Sequence, residues 1–157
     1  MINQFQLDDT NATEQFGAAL LPYLPDKSLI FLHGELGAGK TTLVRGLLRS
    51  AGVTGAIKSP TYAVIEEYSA DNRKIFHFDL YRLADPQELE WIGIDDYLAQ
   101  SALCLIEWPS KGEGVLPEAD IHITLSPQND GRLVQISGID FPNNFLTRTC
   151  KNNNILV

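Results

Sequence analysis

Residues Gly34-Glu35-Leu36-Gly37-Ala38-Gly39-Lys40-Thr41 carry the G-x-x-x-x-G-K-T spacing of a phosphate-binding loop. A triphosphate concentrates negative charge, so the chain must approach it closely with many donors. Glycine leaves no Cβ in the way and tolerates positive φ, which lets successive backbone N–H groups turn inward. A helix that starts at the loop adds its unpaired amides and the positive end of its dipole. On this chemistry the backbone and side chains of Glu35, Leu36, Gly37, Ala38, Gly39, Lys40, Thr41 and Thr42 are the expected ATP-binding set. Lys40 would reach the β- and γ-phosphates, and the Thr41 hydroxyl would ligate Mg²⁺. The competing reading is a glycine-rich strand-to-helix turn with a solvated lysine. Context favours the phosphate loop, because an apolar run (Ser28 to His33) precedes it and a helical pattern (Lys40 to Ala51) follows.

A Mg-nucleotide site also needs acids at the carboxyl ends of neighbouring strands, where open α/β sheets place their ligands. Asp79 ends the run Ile75-Phe76-His77-Phe78, and Glu107 ends Leu103-Cys104-Leu105-Ile106. Either acid could hold the metal or orient the attacking water, and the sequence leaves both assignments open. Catalytic candidates are therefore Asp79, Glu107 and Lys40, and metal candidates are Thr41, Glu107 and Asp79.

Other residues divide between chemistry and packing. On local chemistry Ser59-Pro60-Thr61-Tyr62 reads as a proline turn into a strand, although in nucleotide switches such a segment touches the γ-phosphate through a hydroxyl. His77 shares a strand face with Asp79 and reads as a packed histidine. Trp91 and Trp108 read as core or interface residues, and Cys104 as buried and inert. Arg82 could pair with an acid or face a partner. Arg132 could approach a phosphate or base.

These residues need elements to position them. Phe16, Ala19, Leu20 and Tyr23 recur at helical spacing, which predicts a helix over 10–24 capped by Thr10, Asn11 or Thr13. Ile2, Phe5 and Leu7 predict at most an edge strand. Strands are expected over 28–33, 62–68, 74–79, 102–106, 120–125 and 132–137, with short helices over 86–91 and 94–100. Polar stretches at 69–73 and 127–131 are hairpin-sized. Segment 143–154 is polar and reads as a loosely held tail. Helices alternating with apolar strands, then hairpins, predict an α/β sandwich with a mixed sheet in one domain over 1–157.

Composition agrees. The chain has 157 residues, 44% of them hydrophobic and 20% charged, which excludes wholesale disorder and a collagen-like chain. Its net charge of −8 repels phosphate backbones, so strong direct binding of nucleic acid is not expected. Two cysteines make no disulfide framework, and no apolar run is long enough to span a membrane. A soluble, cytoplasmic protein is expected.

Gly34 to Thr42, Ser59-Pro60-Thr61-Tyr62, His77-Phe78-Asp79-Leu80-Tyr81-Arg82-Leu83 and Glu107-Trp108-Pro109, in that order, give the chain a resemblance to the bacterial TsaE (formerly YjeE) ATPase family. The resemblance runs from about the first helix to the strand around Arg132. It implies a three-layer αβα P-loop NTPase fold with a mixed, mostly parallel central sheet. It implies Thr41 and Glu107 as Mg²⁺ ligands, Asp79 at the catalytic strand end, and nucleoside contacts from Thr10-Asn11 and Arg132. It further implies slow ATP hydrolysis that serves the formation of threonylcarbamoyladenosine in tRNA, on a complex of TsaD and TsaB. Three other functions fit the residues less well, one of them a binding or scaffold protein with a degenerate loop, since every residue type the loop chemistry needs is present. A small-molecule kinase would need an arginine-rich lid, and the twelve basic residues form no such cluster. A GTP-binding module would need the Asn-Lys-x-Asp signature, which the chain lacks.

Overall fold

The phosphate-loop segment lies at the centre of one mixed sheet. The structure is a computed structural model; it describes residues 2–142, Phe145 and 155–156. Chain order is β1 (Ile2–Leu7), α1 (Thr10–Leu20), β2 (Ser28–His33), α2 (Lys40–Ser50), β3 (Ile65–Ala70), β4 (Arg73–Asp79), α3 (Glu88–Trp91), α4 (Ile94–Leu98), β5 (Leu103–Glu107), β6 (Ile121–Gln128), β7 (Gly131–Ser137) and β8 (Ile155–Leu156). The spatial order is β3-β4-β5-β2-β6-β7-β1-β8. The four central strands β4, β5, β2 and β6 run parallel. The flanking pairings, β3 with β4, β6 with β7, and β1 with β7 and β8, are antiparallel. The expectation of a mostly parallel sheet thus holds for its centre, while both wings are antiparallel because hairpins build them.

Helices cover both faces, which gives the three layers. On one face α1 and α2 bury Phe16, Leu20, Leu43 and Leu47 against Leu7, Ile30, Leu105 and Ile123. On the other, Leu89 of α3 and Ile94 of α4 meet Phe76, Phe78, Cys104 and Ile106. Along β4 and β5 the alternation follows from strand geometry: Phe76 and Phe78 face α3 and α4, while Ile75 and Leu105 face α2.

The two helices of the first layer touch backbone to backbone. A Cβ on Gly17 would lie 2.0 Å from the Leu43 carbonyl oxygen, and one on Gly46 would lie 1.9 Å from the Glu14 carbonyl oxygen. No other residue type fits that crossing without separating the helices. It fixes α2, and the loop that opens it, against α1.

Some local expectations are corrected. The cap of α1 is Asp9, whose carboxylate accepts the Ala12 N–H at 2.8 Å, rather than Thr10, Asn11 or Thr13. β1 is an interior strand between β7 and β8, rather than at most an edge. β3 begins at Ile65 instead of Tyr62, because the Val64 N–H donates back to the Pro60 carbonyl at 2.7 Å and closes a turn. The β3–β4 hairpin turns on Asp71 and Asn72, both at positive φ, in keeping with a hairpin of right-handed twist. Of the expected loose tail, Phe145 is buried beside Phe5, Phe16, Tyr23 and Phe141. Residues 143, 144 and 146–154 lie outside the described residues. Among the described residues no helix is long and apolar enough to cross a membrane.

Candidate functional site

A cleft of about 500 Å³ opens at the carboxyl ends of β2, β4 and β5. The loop between β2 and α2 forms its floor, with Leu36 to Thr42 along one wall. Gly37 and Gly39 take φ values of 80° and 105°. Gly39 is doubly constrained, since a Cβ there would also sit 2.1 Å from Arg132 Nη1. The guanidinium of Arg132, delivered by β7, therefore rests on the start of α2.

Register brings the two predicted acids side by side: Asp79 and Glu107 are paired at the ends of β4 and β5. Both are buried. The Thr41 hydroxyl lies 3.2 Å from each Glu107 oxygen. His77 Nε2 lies 2.6 Å from Glu107 Oε2, in a pair with almost no solvent access. The other ring nitrogen of His77 has no hydrogen-bond partner among the described residues, which costs about 1–3 kcal/mol.

Asp79 anchors two segments. Its Oδ2 accepts from the Ser59 hydroxyl at 2.8 Å and the Thr61 hydroxyl at 3.1 Å, and its Oδ1 accepts the Tyr81 N–H at 3.0 Å. The turn between Thr61 and β3 is strained, because Val64 is β-branched yet sits at φ 70°. Arg82 lies 4.2 Å over the Tyr62 ring and donates to its hydroxyl at 3.1 Å.

Lys40 is buried, and its ammonium donates to the Gly34 carbonyl and, at 3.4 Å, to the Glu35 carbonyl. It also lies 4.0 Å over the Trp108 ring. Burial holds its pKa below the usual lysine value, against the opposing pull of Glu107, Asp79 and Glu35. Trp108 takes φ 57°, and that unusual backbone turns its ring into the cleft.

Of the sequence-predicted residues, the structure gathers Leu36, Gly37, Ala38, Gly39, Lys40, Thr41, Thr42, Asp79, Glu107 and Arg132 around this cleft. Glu35 meets it only through the carbonyl that holds Lys40. Asn11 is exposed and does not line the cleft; its neighbour Thr10 does. Five residues contribute beyond what local chemistry assigns them: His77, which is packed as expected but also reaches Glu107, Trp108, which packs on the core as expected but also lines the cleft, Ser59 and Thr61, which form the expected turn but also hold Asp79, and Tyr81, to which the sequence gives no role of its own. The alternation that puts His77 on the Asp79 face was the one available signal for the first.

The residues fit a Mg-nucleotide. A Cβ at Gly37 would meet no atom within 4 Å, so the loop wall there is open to a ligand. A hydroxyl and carboxylate oxygens are the hard donors Mg²⁺ selects, and so small a set leaves most of an octahedral shell to phosphate and water. Among the described residues neither Arg82 nor Arg132 pairs with a carboxylate, although the chain is acidic. Two cations are thus left available to an anion.

Fold and cleft together define an α/β protein of the phosphate-loop class. Residues 7–134 match the family of threonylcarbamoyl adenosine biosynthesis protein TsaE, and the chain belongs to that family. It is 49% identical over 124 residues to the tRNA threonylcarbamoyladenosine biosynthesis protein TsaE of Haemophilus influenzae, covering 78% of each chain. The protein of the same name from Synechocystis is 41% identical over 112 residues, 69% of this chain and 71% of that one. The crystal structure of Bacillus subtilis YdiB shares the fold, with a TM-score of 0.73 at 24% identity, across 89% of this chain and 88% of the other.

Proposed function

We propose that this protein binds ATP with Mg²⁺, hydrolyses it slowly, and thereby supports threonylcarbamoyladenosine formation in tRNA through a TsaB–TsaD complex. One observation carries the reading: the phosphate loop, the Thr41 hydroxyl and two buried strand-end carboxylates converge on a single cleft. Thr41 and Glu107 would hold the metal. When bound, Mg²⁺ would offset phosphate charge and polarise the transferred group. Lys40 would leave the Gly34 carbonyl for the β- and γ-phosphates, exchanging a neutral acceptor for an ionised one. Asp79, paired directly with Glu107 across β4 and β5, would orient water.

Partner coupling rests on Asp79 as well. Ser59 and Thr61 hold its carboxylate by hydroxyls alone, and Val64 beside them is strained, so this segment is poised to rearrange when phosphate oxygens compete for those hydroxyls. Tyr62 and Arg82 would move with it and change the outer surface. The test is calorimetric titration with Mg-ATP, plus ATP hydrolysis with and without TsaB–TsaD, for wild type, Lys40→Ala and Glu107→Ala. A loss of about 10²-fold or more in turnover is expected for each variant. Wild-type activity in both variants refutes the reading.

A further inference from the structure

We propose that His77 is the positioning residue that fixes the metal-binding carboxylate of Glu107. The inference rests on the Mg-nucleotide reading above and adds a residue to it. A carboxylate that holds a metal is ionised and can only accept, so in that state His77 Nε2 carries the proton of the 2.6 Å contact and donates it to Oε2. That bond ties down one oxygen of Glu107. The other oxygen, Oε1, shares the Thr41 hydroxyl with it and is the one that the histidine contact leaves for the metal. Without the histidine, the carboxylate could rotate about its last torsion, and the ligand geometry that Mg²⁺ demands would be lost.

Packing alone does not explain a histidine here. His77 sits on β4 between Ile75 and Asp79 of the same face, with Leu105 opposite it on β5. An aliphatic side chain would continue the apolar layer, whereas the imidazole is fully buried and its Nδ1 has no partner among the described residues. Replacing both members of such a buried pair by apolar residues is commonly neutral, so the pair as a whole is not required for stability, whereas removing His77 alone leaves a buried carboxylate without its partner. A histidine aimed at a metal-site carboxylate is instead the arrangement that orients a ligand from behind.

The experiment uses the full chain with ADP and Mn²⁺, read by electron paramagnetic resonance of the bound ion. Wild type, His77→Leu and His77→Gln are compared, and ADP affinity in EDTA and the melting temperature are measured alongside. The Gln amide nitrogen can donate from nearly the position of imidazole Nε2, whereas Leu cannot. His77→Leu is expected to need about 10–100-fold more Mn²⁺ while binding ADP in EDTA as wild type does. His77→Gln should stay within a few-fold of wild type. Equal Mn²⁺ affinity in wild type and His77→Leu overturns the proposal. So does a His77→Gln variant as weak as His77→Leu, since ring shape rather than the donor would then matter. Wild-type protein that binds ADP with no Mn²⁺ effect refutes the metal reading itself, and this inference with it. Should His77→Leu fail to fold, His77→Met, which likewise has no donor, is compared with His77→Gln in its place.

Discussion

Replacing Gly46 by alanine tests whether the contact between α1 and α2 is as close as the structure has it. The new Cβ would begin 1.9 Å from the Glu14 carbonyl oxygen and 2.6 Å from its carbon, so the helices must part by about 1 Å to relieve the overlap. The obstacle is backbone, which cannot swing aside as a long side chain would. Overpacking costs about 1–3 kcal/mol in general, and a backbone obstacle belongs at the upper end, about 3 kcal/mol. Alanine returns about 1 kcal/mol through its better helix propensity. The net loss is about 2 kcal/mol, or a fall of about 4–8 °C in melting temperature for a domain of this size. Urea unfolding followed by circular dichroism reads it directly. Gly37→Ala is the control, because its Cβ meets nothing within 4 Å and its cost is confined to a left-handed backbone, about 1–2 kcal/mol. Because α2 starts at Lys40, Gly46→Ala should also weaken nucleotide binding from a distance. A Gly46→Ala variant as stable as wild type would refute the packing argument.

Three further outcomes are expected. His33 is half-buried 2.9 Å from His122, and burial, then His122 and Lys40, lower its pKa from 6.5. The unfolded chain therefore takes up the proton first on acidification, so this site's share of stability is full above pH 6.5 and is lost as pH falls through the lower folded value. His33→Gln should flatten the fall of the urea midpoint as pH drops below 6.5, and an unchanged slope counts against it. The Cys104 thiol is buried and pushed up to about 11 by burial, so peptide mapping should find it unalkylated by iodoacetamide at neutral pH until urea unfolds the chain. Asp9→Ala removes the acceptor for the Ala12 N–H and should cost about 1 kcal/mol in a thermal melt.

The chemistry of the central strands was legible because it is local. An apolar run, a glycine-rich loop and a helix are contiguous over 28–50, and Asp79 and Glu107 each end an apolar strand. What sequence could not give was pairing across distance. β1 joins β7 over some 130 residues, and no periodicity in either segment announces that partner. The same limit hid His77, whose role depends on a carboxylate 30 residues away on another strand. Trp108 packs on the core as expected, but its place over Lys40 was not legible, because its direction comes from a positive φ that its residue type disfavours. Phe145 was misjudged because the polar residues around it in the sequence outweigh one aromatic, while its partners Phe5, Phe16 and Tyr23 come from the other end of the chain.

The glycine crossing of α1 and α2 divides the molecule mechanically. Backbones that touch have no slack, so the wall of the cleft built on α2 behaves as a rigid anvil. The opposite wall, from Ser59 to Val64 and on to Tyr81, is gathered on one aspartate, whose carboxylate accepts from two hydroxyls and one N–H and whose own N–H donates to the Val64 carbonyl. Mechanical work done by a bound ligand must therefore leave through that compliant side, and a binding partner that senses the nucleotide would have to listen there.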